Sequence, residues 1–116
     1  MMHIKGNIFA NIPAESPEEL FETIFEKSGT RIERIISYGQ GTPIGEWYDQ
    51  EHDEWVLLLR GFAELQIEGE IEPRRLSSGD YLLLPARCRH SVIRTDADEK
   101  TIWLAIHVDA PESLNP

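Results

Sequence analysis

The stretch FAELQIEGE, residues 62–70, constrains the fold more than any other part of the chain. Ala63, Leu65 and Ile67 alternate with Glu64, Gln66 and Glu68, a period of two that fits a β-strand with one face in water. Other strand-like segments surround it. RIERIISY (31–38) is rich in β-branched residues and runs into the turn cluster Gly39-Gln40-Gly41-Thr42-Pro43. EWVLLLRG (54–61) leads directly into the alternating stretch, Gly69 offers a hairpin turn, and Ser77-Ser78-Gly79-Asp80 offers another. YLLLP closes at Pro85, and SVIRT and TIWLAIHV are separated by the acidic turn Asp96-Ala97-Asp98-Glu99. Short strands at even spacing predict an all-β sandwich or small barrel.

One segment reads differently. Ser16-Pro17-Glu18-Glu19 combines an N-cap serine, a proline at the first helical position and a glutamate completing a capping box. Leu20, Phe21, Ile24 and Phe25 then share one helical face, and Gly29 follows as a stop, so a short amphipathic helix is expected over about 17–28. The strand around residues 54–60 needs a cover of its own. If Glu54, Val56 and Leu58 point inward, Trp55, Leu57 and Leu59 point outward, and both faces are apolar apart from Glu54. The expected helix or a second subunit must cover the outside, and a homodimer with this strand near its interface is expected.

The 116 residues fit one domain spanning 1–116, with a barrel over about 31–108. Twenty-one acids against eleven bases give a net charge of -10, which repels phosphate backbones and anionic lipid. No nucleic acid and no membrane partner is therefore expected. Arg74, Arg75, Arg87 and Arg89 cluster in sequence, as a solvated edge or as an anion-binding rim. A single cysteine, Cys88, rules out an intramolecular disulfide and fits a reducing compartment. With no apolar leader or spanning stretch, the expected location is cytoplasmic.

Two spaced motifs give these segments a common identity. Gly45, Tyr48, Gln50, Glu54 and Gly61 resemble the first motif of the cupin family, with the six-residue gap from Glu54 to Gly61 preserved. Gly79, Pro85 and His90, in GDYLLLPARCRH, resemble the second motif. Arg87 stands at that motif's second glycine and Arg94 at its asparagine. The resemblance covers about residues 31–108 and implies a double-stranded β-helix, or jelly-roll barrel. It further implies a divalent metal held by two histidines and a glutamate of the first motif and one histidine of the second. Glu54 and His90 match two of these ligands, while Tyr48 and Gln50 replace the two first-motif histidines.

Gln50 can donate an amide oxygen, and with Glu54 and His90 it makes a set suited to Zn, Fe, Mn or Ni. Three protein ligands and water form the composition of a catalytic site. Asp49 can enter if the strand bulges. His52 shares strand parity with Gln50 and Glu54, although the family pattern puts it in a solvent-facing bend. The alternative is a metal-free cup in which Gln50, Glu54 and His90 bond one another.

His107 shares a face with Trp103 and Ala105, so it either works as an acid/base inside the cup or is a satisfied strand histidine. Tyr48 and Trp47 are placed at the mouth, with Tyr48 the second candidate for chemistry, and Arg87 on the substrate rim. Cys88 reads as a packed small residue, and His3 is given no role. The leading expectation is a metal-dependent enzyme acting on a small polar molecule. A metal-free ligand-binding or sensing module and a dimeric interaction protein without ligand stand as alternatives.

Overall fold

In a computed structural model that describes residues 4–110, the chain forms eight strands and no helix among those residues. They are β1 (Leu20–Lys27), β2 (Thr30–Ser37), β3 (Asp53–Arg60), β4 (Phe62–Ile67), β5 (Arg74–Ser77), β6 (Tyr81–Leu84), β7 (His90–Thr95) and β8 (Thr101–Val108). One sheet has the order β1-β2-β8-β3-β6 and the other β5-β4-β7, with every pairing antiparallel. This is the all-β architecture expected from the strand pattern. His3 lies outside the described residues.

The expected helix over 17–28 is not formed; Leu20–Lys27 is strand β1, paired along its length with β2. Ser16 does accept a bond from the Glu18 amide at 3.3 Å, but its hydroxyl also donates to the Glu18 carbonyl at 2.6 Å, which makes a local turn and not a helix cap. Gly29, expected as the helix stop, is the second residue of a hairpin turn. Ser28 and Gly29 have φ of 47° and 81°, the paired positive values of the two-residue turn that suits strand twist.

The core lies between the sheets, built by Val56, Leu58, Trp103 and Ala105 from one and Ala63, Leu65 and Leu76 from the other. Gly61 makes the passage from β3 to β4, and so between sheets, possible. Its φ is 98°, and a Cβ there would lie 2.7 Å from the Thr101 Cα. Glu64, expected to face water, is buried instead, because Arg94 bonds its Oε1 at 2.7 Å and Arg75 lies 3.7 Å from the same oxygen.

Strand register decides where polar groups gather. Arg31, His107, Glu54 and Leu84 stand side by side across β2, β8, β3 and β6. The next inward row is Glu33, Ala105, Val56 and Leu82, and the next contains Ile35, Trp103 and Leu58. The sheet's inner face thus grades from charged to apolar along the strands.

On the outer face, the buried Arg34 guanidinium donates to the Ile8 and Ala10 carbonyls at 3.0 and 2.7 Å and to Glu22 at 2.6 Å. The N-terminal segment, turned by the Ala10 amide bonding the Asn7 carbonyl at 3.0 Å, therefore covers the β2 side. The apolar row Phe25, Ile32, Ile106, Trp55 and Leu83 crosses all five strands, and Phe25 and Leu83 are exposed.

Candidate functional site

Between the sheets lies a cavity of about 220 Å³. Its polar lining comes from Glu19, Arg31, Glu33, Gln50, Glu54, His90 and His107, with Tyr48 beside them. Ile35, Val56, Leu65, Leu84 and Trp103 contribute apolar wall. The volume falls below the roughly 300–1,000 Å³ of drug-sized pockets, which limits a ligand to a small molecule.

Glu54 is buried at 6% exposure between two imidazoles. Its Oε1 is 4.0 Å from His90 Nε2 and its Oε2 is 3.9 Å from His107 Nε2, too far for hydrogen bonds. His90 comes from the opposite sheet, at the start of β7, and pairs by backbone with Tyr48. The Tyr48 ring stacks on the His90 ring with centroids 5.3 Å apart. Burial, followed by the charges of Glu19 and Glu54, raises the Tyr48 phenol above its usual range, so it stays protonated.

The tautomers follow from the partners. His90 Nδ1 lies 2.9 Å from the Cys88 carbonyl, which can only accept, so in the neutral ring Nε2 carries the lone pair. His107 Nε2 lies 3.2 Å from Glu33 Oε1 and must donate to it. Its Nδ1, 2.9 Å from His52 Nε2, then accepts. The result is a polarised chain from His52 through His107 to Glu33. The hydrogen bond from His107, with the charge of Arg31 adding to it, lowers the Glu33 carboxyl below its ordinary value despite partial burial.

The structure brings Gln50, Glu54, His90, Tyr48 and His107 to one cavity. It leaves Asp49, Arg87 and Trp47 off the cavity wall. Arg87 bonds Asp49 at 3.2 Å and Glu51 at 3.0 Å, and the Arg89 guanidinium lies 5.5 Å from the Trp47 ring centre. His52 lines an adjoining crevice with Glu26, Arg31 and Asp109 and reaches the cup through His107. Arg87 also explains its own place in the second motif. With φ of 65° it takes the left-handed backbone that the family supplies with glycine.

Arg31, Glu33 and Glu19 were not picked out from the sequence. In RIERIISY, residues 31, 33 and 35 share a face, so Arg31 and Glu33 follow Ile35 inward. That parity was the available signal.

Does this set fit a divalent ion? The His90 Nε2 lone pair and a Glu54 oxygen lie 4.0 Å apart, wider than the roughly 3.4 Å between two ligands on a tetrahedral ion with bonds of about 2.0–2.2 Å, so the two would close by about half an ångström to share one. The Cys88 carbonyl on the far nitrogen of His90 is the usual support for a metal-bound imidazole. The third donor would be the Gln50 amide oxygen, because no three His, Cys, Asp or Glu side chains converge as a metal group among the described residues. The donor chemistry fits an open site of two strong ligands and one weak one.

Two antiparallel sheets enclosing a small polar cup define a double-stranded β-helix with a small-molecule cavity. The Cupin domain family matches residues 34–107, and the chain belongs to that family. A Ralstonia eutropha JMP134 protein provisionally designated a mannose-6-phosphate isomerase is 48% identical, with 93% of this chain and 100% of that one covered at a TM-score of 0.90. A cupin superfamily protein from Desulfitobacterium hafniense DCB-2 is 18% identical over 85% of this chain and 84% of its own, at a TM-score of 0.70. A Streptococcus pyogenes protein of unknown function is 23% identical over 97% of this chain and 93% of its own, at a TM-score of 0.73. The last two likenesses are of fold alone. No curated protein matches the chain.

Proposed function

We propose that the protein is a metal-dependent enzyme that moves a proton on a small polar molecule held in the cup. The observation that carries this reading is the buried Glu54 side chain, with an imidazole about 4 Å from each of its carboxylate oxygens and no hydrogen bond to either, on the wall of the cavity between the sheets. A carboxylate that lines a cavity with no hydrogen-bond partner of its own is free to take up a bound ion or ligand.

His90, Glu54 and Gln50 would hold the ion, which when bound would polarise a substrate oxygen and acidify the neighbouring C–H. Glu33 and His107 act as one hydrogen-bonded acid–base pair. The Glu33 carboxylate, kept ionised by His107, accepts the proton and returns it to a neighbouring atom. His107 orients that carboxylate, and His52 fixes the His107 tautomer from the far side. Tyr48 covers His90 and limits water at the mouth.

The provisional designation of the Ralstonia eutropha relative supports isomerisation as the reaction type. The test is to incubate the protein with mannose 6-phosphate, and with mannose, in heavy water and follow carbon-bound deuterium. The expected result is exchange that falls about 10²- to 10⁴-fold in Glu33→Gln and His107→Gln. Undiminished exchange in both variants would remove the pair from the mechanism.

The lack of three converging ligating side chains among the described residues favours a second reading, a metal-free binding or sensing cup. Under either reading we place a second copy of the chain against the outer apolar row at Trp55. The row spans five strands at about 4.8 Å each, wide enough to contribute to an interface of roughly 800 Å² per partner. Sedimentation showing only monomer would remove the dimer.

A further inference from the structure

The guanidinium of Arg31 is the one cationic side chain on the cavity wall that carries a fixed charge, and its donors are unspent. Arg34, Arg74, Arg87, Arg89 and Arg94 each bond a carboxylate. Arg31 makes no side-chain hydrogen bond among the described residues, and its Nε is sealed from solvent without an acceptor. The nearest carboxylate, Glu33, stands 3.9 Å from that Nε and already accepts from His107. A buried N–H with no acceptor is a standing loss that a bound acceptor would remove.

Position adds to this. Arg31 lies opposite His107 in the β2–β8 register, at the charged end of the inner face, and lines both the cup and the adjoining crevice. No hydrogen bond pins its guanidinium, so the fork can turn a little and present Nε and a terminal nitrogen together. That edge matches two oxygens of a carboxylate or phosphate. In a chain with a net charge of -10 and three glutamates on the cavity wall, an unspent arginine selects one end of a ligand and leaves the rest to the polar lining.

We infer that Arg31 is an oxyanion subsite, and that the molecule held in the cup carries a terminal phosphate or carboxylate bound at Arg31 while its neutral part reaches Glu33, Glu54 and His90. The inference rests on reading the cup as a small-molecule site, and it does not require that a metal is bound. One anion can bind either at Arg31 or at an ion held by His90, so the two places must be separated by variants.

The experiment follows the thermal midpoint of wild-type, Arg31→Gln, Arg31→Lys and His90→Ala protein with inorganic phosphate, with acetate and with sodium chloride at matched ionic strength. At about ten times its dissociation constant, the preferred anion should raise the wild-type midpoint by about 5 °C. Arg31→Gln should weaken that anion about 10- to 100-fold and cut the shift to under about 2 °C, Arg31→Lys should retain more of it, and His90→Ala should keep it. A shift with phosphate marks a phosphorylated ligand, and a shift with acetate marks a carboxylate.

No shift beyond chloride in wild type overturns the inference. A shift unchanged in Arg31→Gln does so too, and if it also vanishes in His90→Ala it places the anion at the metal. Elemental analysis of the same samples reads the metal question separately, so failure of the subsite and failure of the metal reading remain distinct.

Discussion

The inner and outer faces of the five-stranded sheet are made by the same strands, and at the mouth of the cup they carry opposite chemistries. Inside, the row Arg31, His107, Glu54 and Leu84 opens the cup with charge. Outside, one residue along each strand, the row Phe25, Ile32, Ile106, Trp55 and Leu83 is wholly apolar. At this end of the strands the usual arrangement of an antiparallel sheet, apolar residues toward the core and polar ones toward water, is reversed, while further along Val56, Leu58, Trp103 and Ala105 face the core as usual. Water or a ligand in the cup can satisfy the polar row together with its own partners, whereas the exposed apolar row gains from a cover.

The sharpest way to break this comparison is to truncate one leucine on each face. Leu58→Ala, within the core, should cost about 2–5 kcal/mol at any protein concentration. Leu83→Ala, at 57% exposure, should cost under about 1 kcal/mol in a monomer. With a second copy on that face, the Leu83→Ala midpoint should fall as the protein is diluted, and sedimentation should shift toward monomer. Chemical denaturation at two concentrations measures both. Equal and concentration-independent losses would mean that the two faces do not differ in this way.

A smaller effect sharpens the inner face. Glu33 has a lower pKa folded than unfolded, so its contribution is complete above its ordinary value of 4.5 and is lost as pH falls through the folded value. Glu33→Gln should therefore reduce stability at neutral pH and flatten its decline in acid, as read from unfolding midpoints between pH 3 and 7. A variant that keeps the wild-type acid profile would show that the His107–Glu33 bond is not formed. The smallest change is expected at Arg87, which pays for its left-handed backbone with two surface ion pairs. Arg87→Gly should stay within about 1 kcal/mol of wild type, because strain relief offsets the lost pairs, and should leave ligand affinity unchanged.

Much of the barrel was legible in the sequence because its strands are regular. Ala63, Leu65 and Ile67 keep a period of two, and the glycines at 61, 69 and 79 adopt the positive φ that turns require. Strand β1 was misread for a physical reason. A bulge between Thr23 and Phe25 breaks the alternation, and the spacing of Leu20, Phe21, Ile24 and Phe25 that results mimics a helical face. In the cup, Glu54 and His90 were legible because motif spacing marks them, and Gln50 came with them. The Glu33–His107 pair joins residues 74 apart through strand register, which no local pattern encodes. Arg31 is a further case, since its significance lies in hydrogen bonds it does not make.

The central proposal is that His90 and Glu54 share a divalent ion, and elemental analysis of protein purified without a nickel column tests it most directly. The account predicts about one transition metal per chain in wild type, lost in His90→Ala. Wild-type protein that carries no metal, and that gains no thermal stability from added Zn, Mn, Ni or Fe(II), would contradict it.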